Sequence, residues 1–161
     1  MTEEAGVTGM NRTLDELAGV VDLFGALTRD ELADALHELA FKRGEDVDAD
    51  AVDAAIERAI DQYALVAVSR EDADLIVPGP AAFPTVPDGG PDLPHILDVE
   101  RRDVPRDELA DALRARFAAE LADDPGDERR DFLLDVTYDA ETWADIDAAG
   151  LRERLADRRE G

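Results

Sequence analysis

Residues 50–77 read DAVDAAIERAIDQYALVAVSREDADLIV, and the hydrophobic period changes within them. Val52, Ala55, Ile56, Ala59, Ile60 and Tyr63 recur at three- and four-residue steps, which predicts a helix from about Asp50 to Gln62 with one buried face. ALVAV (64–68) and DLIV (74–77) then form two short β-type runs joined by the polar turn SREDA (69–73). A helix feeding straight into a hairpin is the feature around which the rest of the chain is arranged.

Two more helices are expected upstream. Thr13 with Glu16, and Thr28 with Glu31, have the spacing of a capping box. Leu14, Leu17, Val20, Val21, Phe24 and Leu27 follow the first box, and Leu32, Leu36 and Leu39 follow the second. Asp30 and Glu31 suit the start of the second helix dipole, Lys42 and Arg43 suit its end, and Gly44 is a natural stop. Three helices followed by a hairpin, over residues 13–78, resemble a winged helix-turn-helix domain. The resemblance implies that residues 50–62 stand where a recognition helix would and residues 64–77 where a wing would.

Six of the eight prolines fall between Pro78 and Pro94, in PGPAAFPTVPDGGPDLP. Such a stretch forms neither a helix nor a central strand, so it is expected to be a linker or a surface-hugging loop, with Phe83 and Val86 available to pin it. Beyond it, HILDVE (95–100) reads as a strand or a short helix. A helix is predicted from about Asp103 to Ala122 on Leu109, Leu113, Phe117 and Leu121. FLLDVTY (132–138) alternates and is predicted as a half-buried strand, which would give a β-α-β crossover with ILDV (96–99). A last weak helix covers roughly 148–158. The expected organisation is a leader over 1–12, a winged-helix-like domain over 13–78, a Pro-rich linker over 79–94 and an α/β region over 95–161. The fold class is α+β: a three-helix unit with a β-hairpin, plus a small C-terminal β-α-β-α extension.

The octapeptide RDELADAL occurs at Arg29–Leu36 and again at Arg106–Leu113. The flanking apolar positions do not repeat with it, so it reads as two helix starts drawn from one restricted alphabet and not as a duplicated scaffold.

That alphabet is acidic. The chain of 161 residues has a formal net charge of −24, with 41 acidic residues spread along its length and Lys42 as its single lysine. Hydrophobic content of 45%, arranged in periodic stripes, argues against disorder and for folding in concentrated salt. At molar ionic strength the Debye length is about 3 Å, so neighbouring carboxylates barely repel. Codon bias toward Arg, Ala, Asp and Gly is the bland alternative, and both readings are compatible. The stretches LDELAGVVDLFGALTRDEL (14–32), LPHILDV (93–99) and FLLDVTYDAETW (132–143) resemble an uncharacterised family of halophilic archaeal proteins. The resemblance implies a salt-adapted cytoplasmic protein and brings no activity or site residue.

Several chemistries lack the residues they need. The absence of Cys removes disulfides, thiolate nucleophiles and thiolate metal sites. The N-terminus lacks the basic and apolar regions of a secretory signal, and no apolar run approaches the ~20 residues of a membrane span, so a cytoplasmic location is expected. No GxSxG, HExxH or phosphate-cradling glycine loop occurs. His37 reads as a boundary residue of the second helix. His95, near Asp98 and Glu100, has the ingredients of a metal ligand, but in so acidic a chain almost any residue has carboxylate neighbours. No catalytic residue, metal site, cofactor or small-molecule ligand is therefore expected.

Nucleic acid is the usual partner of a winged helix, and the charges oppose it. Asp50, Asp53, Glu57 and Asp61 face only Arg58 on the third helix, and Arg70 in the wing faces Glu71, Asp72 and Asp74. The expected function is a non-catalytic protein-interaction or adaptor module, binding a protein partner or itself. The alternative is a DNA-binding transcriptional regulator using Lys42, Arg43, Arg58 and Arg70. Two further arginine groups, Arg101, Arg102 and Arg106, and Arg129 with Arg130, read more naturally as partners for nearby acids than as phosphate clamps.

Overall fold

A computed structural model describes residues 14–160, apart from residues 43, 46, 47, 72, 88, 89 and 145 and the side chains of residues 157–160. The leader over 1–12, with Arg12, and the Thr13 capping residue lie outside the described residues. The chain divides into two compact units, the first ending at Asp103 and the second beginning at Val104.

The first unit opens with α1, helical over residues 14–24, which buries Leu17, Ala18, Val20, Val21 and Phe24. Gly25 turns the chain at φ 81° into β1 (Leu27–Thr28). The Thr28–Glu31 capping box forms as its spacing predicts: the Thr28 N–H donates to Glu31 Oε1 at 2.9 Å and the Glu31 N–H to Thr28 Oγ1 at 3.2 Å. It starts α2 (Arg29–Lys42). Gly44, at φ 71°, ends α2 in a Schellman closure, in which its N–H reaches the Phe41 carbonyl and the Glu45 N–H reaches the Ala40 carbonyl.

Asp48 caps α3 (Ala49–Asp61), its Oδ1 accepting from the Ala51 N–H at 2.8 Å. The same Schellman closure ends α3: Tyr63 N–H to Ile60 carbonyl, and Ala64 N–H to Ala59 carbonyl. Here the left-handed position is Tyr63, at φ 60°, with its side chain fully buried. The chain emerges as β2 (Leu65–Val68) and returns as β3 (Leu75–Pro78). All pairings are antiparallel and the sheet order is β1-β3-β2, with Val66 opposite Val77 and Leu27 opposite Ile76. Phe24, Leu27, Leu32, Ile56, Leu65 and Ile76, one from each of these six elements, meet in one core.

The Pro-rich segment is not a linker between units. Its prolines lack N–H groups, but alternate residues between them donate to the first unit. Gly79 bonds the Ala64 carbonyl, Ala81 the Tyr63 carbonyl, and Thr85 the Asp15 carbonyl, while the Phe83 N–H reaches Asp15 Oδ1 at 3.2 Å. A Cβ on Gly19 would stand 1.9 Å from the Thr85 carbonyl oxygen, so α1 accepts the strap only because residue 19 is glycine. The expected pins, Phe83 and Val86, are exposed, and the backbone does the pinning instead.

A 3-10 turn (Gly90–Asp92) leads into α4 (Leu93–Leu97), which resolves HILDVE as a short helix ended by Asp98 in the left-handed region. Residues 99–103 then come back to the end of α1. The Arg102 N–H donates to the Phe24 carbonyl at 2.8 Å, and Arg101 Nη1 donates to the Asp22 and Leu23 carbonyls.

The second unit contains α5 (Arg106–Ala122), α6 (Asp127–Trp143) and α7 (Ala148–Glu160). FLLDVTY, read above as a strand, lies within α6, and the β-α-β crossover does not exist. The alternation of Phe132, Leu134, Val136 and Tyr138 was incidental. The buried positions are Arg130, Leu133, Val136, Thr137 and Ala140, at helical spacing, and Tyr138 is exposed. A short apolar run fits either period, and the acidic first turn Asp127–Glu128 belongs to a helix start. Arg130, 4% exposed, holds this unit together by donating to the carbonyls of Pro125 and Leu155 and to Asp124 Oδ1.

Both copies of RDELADAL begin a helix at their arginine. They bury different faces. In α2 Leu32 and Ala35 go in; in α5 the equivalents of those positions are half-buried, and Ala110 and Leu113 go in. One residue is a rotation of about 100° around a helix. A broad Ala/Leu stripe allows either face to be chosen by its neighbours, which is recurrence of composition and not of structure. Taken whole, the chain is mixed helical with one small antiparallel sheet.

Candidate interaction surface

The outward face of α3 carries Asp50, Asp53, Glu57, Arg58 and Asp61, all exposed. Three of these acids are already engaged. Arg29, the first residue of α2, places Nη1 2.6 Å from Glu57 Oε2 and Nη2 3.8 Å from Asp53 Oδ1. Asp61 Oδ2 accepts from the Gln62 side-chain amide.

Of the four cations singled out from sequence, Lys42, Arg58 and Arg70 stand on three different elements or their ends. Lys42 ends α2 and pairs with Asp92 at 3.7 Å, beside the turn into α4. Arg58 stands in the last turn of α3, roughly 13 Å along the helix from its N-terminus. Arg70 is exposed just after β2. Arg43 lies outside the described residues. The other arginine groups serve as internal partners. Arg101 caps the end of α1. Arg129 pairs with Glu120 at 2.8 Å and covers the Phe132 ring. Arg130 is the buried staple of the second unit.

Sequence reasoning missed the partner of Arg102. Its guanidinium meets Glu31 at 2.6 and 3.1 Å and also donates to the Ala26 carbonyl. This guanidinium holds the Glu31 carboxyl below the usual carboxylate range, and Glu31 in return raises Arg102. Nothing local in the sequence links positions so far apart.

A cavity of about 220 Å³ lies among α1, α2 and α3. Its walls are Leu17, Val20, Leu36, Leu39, Val52 and Ala55, with the carboxylates Glu16 and Glu45 on its polar side. Alanines at 40, 51 and 55 leave the space that larger side chains would fill. Periodicity reports which face of a helix is apolar, not whether three such faces close completely, so no sequence signal marks it. In the same unit the large apolar side chains of Phe41, Phe83, Val86 and Ile96 are exposed.

Among the described residues no group of three His, Asp or Glu side chains is placed to hold a metal ion, and no helix is long and apolar enough to cross a membrane. His37 is half-buried on α2, and His95 is exposed on α4.

A protein-family model matches residues 15–160, which takes in every element from α1 to α7. The chain belongs to DUF7109, a family of unknown function. No curated protein and no solved structure matches it. The resemblance to an uncharacterised family is met at that level. Because the DUF7109 match spans both units, the Pro-rich strap and the cavity are inside the family's extent and not appendages to it.

Proposed function

We propose that the first unit of this DUF7109 chain is a winged-helix module that docks protein surfaces and not nucleic acid, within a non-catalytic cytoplasmic protein adapted to molar salt. The winged-helix reading is supported by the element order α1-β1-α2-α3-β2-β3 and the sheet order β1-β3-β2, with β1 a two-residue strand between the first two helices.

The observation that carries the partner class is the outward face of α3. A helix entering a DNA groove meets phosphates on both sides and needs Lys, Arg or neutral polar groups. This one presents four carboxylates and a single guanidinium, Arg58. Arg29 offsets part of that charge only by being tied to Asp53 and Glu57. Molar salt would further weaken phosphate contacts, whereas it leaves apolar contacts intact or stronger.

The salt-adapted reading is supported by the net charge of −24 and by how the cations are used. Arg29, Lys42, Arg102, Arg114, Arg129, Arg130 and Arg152 all stand beside carboxylates. The test is an electrophoretic shift of random duplex DNA in about 2 M KCl. No retardation is expected. Retardation that disappears in the R58E/R70E variant overturns the protein-docking reading in favour of a DNA-binding regulator.

A further inference from the structure

We infer that two copies of this chain pair reciprocally, with the Phe83 ring of each seated in the α1–α2–α3 cavity of the other. The inference rests on the protein-docking reading of the first unit and names its surface.

Phe83 is 79% exposed, yet the chain that carries it is fixed. Its N–H is held by Asp15 Oδ1, its carbonyl accepts from Thr85 Oγ1, and the Thr85 N–H is held by the Asp15 carbonyl. Pro84 follows directly and Pro80 and Pro87 flank it. A ring on so restrained a strap loses little backbone freedom on docking, so most of its burial would appear as affinity.

The strap is also the uncharged part of the surface. Residues 75–87, LIVPGPAAFPTVP, contain no charged side chain in a chain that is 36% charged. Two molecules each carrying −24 have few places to touch without opposing carboxylates, and this is one. The Glu16 and Glu45 carboxylates beside the cavity are screened beyond about 3 Å in molar salt.

The receptor is on the same chain. An apolar cavity of about 150 Å³ is large enough to take benzene, so about 220 Å³ accommodates a phenyl ring. Knob and hole also share a helix. Asp15 and Gly19 carry the strap on one side of α1, and Leu17 and Val20 line the cavity on another. A reciprocal contact of this kind is isologous, which gives a closed dimer and not a filament.

The test is sedimentation velocity of the full chain in about 3 M KCl over a range of concentrations, with circular dichroism as the fold control. The wild type is expected to dimerise. F83A, which alters only an exposed side chain, and A55L, which fills the cavity, each remove both reciprocal contacts and are expected to weaken the dimer at least about tenfold, the scale of losing even one buried aromatic contact. An equimolar mixture of the two variants retains one intact ring and one intact cavity, and is expected to associate more tightly than either alone. A monomeric wild type, or a dimer unchanged by F83A, overturns the pairing. Either result leaves the protein-docking reading standing, since that falls only on DNA retardation.

Discussion

Arg102 closes on Glu31 with two nitrogens, at 2.6 and 3.1 Å, while Glu31 is also the reciprocal half of the cap at Thr28. One carboxylate thereby fixes the start of α2 and fastens the segment after α4 to it. E31A removes both functions and is expected to destabilise the first unit by about 1–3 kcal/mol, measured by denaturant unfolding in molar salt. R102K keeps the charge but loses the two-pronged geometry and is expected to recover only part of that loss.

The same pair sets a pH dependence. The folded-state pKa of Glu31 lies below its ordinary value of 4.5, chiefly through the hydrogen bond from Arg102. Its contribution is therefore complete above the unfolded value and is lost as pH falls through the lower, folded one. Melting temperatures of wild type and E31Q are expected to differ most near neutral pH and to converge in acid. A gap that widens in acid contradicts the assignment.

Tyr63 sets backbone strain against burial. A bulky residue in the left-handed region costs about 1–2 kcal/mol, and glycine would relieve it. Truncating a fully buried aromatic costs about 3–5 kcal/mol. Y63G is expected to be destabilising by about 2–3 kcal/mol on balance, and Y63F to be much milder. Unfolding curves of the two variants check the ranking.

Arg130 gives the second unit its own test. R130M removes the donor to the Leu155 and Pro125 carbonyls and leaves polar groups unsatisfied, an expected loss of about 2–4 kcal/mol. Amide exchange is expected to accelerate first in α7, because Leu155 is the contact that ties it to the start of α6.

Gly19 tests the strap. G19A places a methyl group where the Thr85 carbonyl now lies, so residues 83–87 must lift from α1. Limited proteolysis is expected to cut near Phe83 in G19A and not in wild type. The salt-dependent dimer is expected to weaken in parallel, because Phe83 is no longer held in place.

Elements with their own local chemistry were legible in the sequence. The Thr28–Glu31 box, the Gly44 stop, α3 and the hairpin after it follow from spacing alone. Two kinds of feature were not. FLLDVTY satisfied a strand period and a helix period together, and its packing against α7 decides between them. β1 is two residues long and exists because β3 lies beside it, so no pattern marks it. The Arg102–Glu31 pair, the strap on Gly19 and the cavity belong to the same class, since each joins positions that only the folded chain brings together. Composition indicated that the arginines would find acids, but not which acids.

Dependence of folding on electrolyte is the most direct test. Melting the purified chain by circular dichroism at about 0.1 M and about 3 M KCl compares the carboxylate coat exposed and screened. The melting temperature is expected to rise by roughly 10 °C or more, equivalent to several kcal/mol for a chain of this size. A chain equally compact and equally heat-resistant at both concentrations would contradict the view that salt, by quieting those charges, lets apolar packing hold this fold.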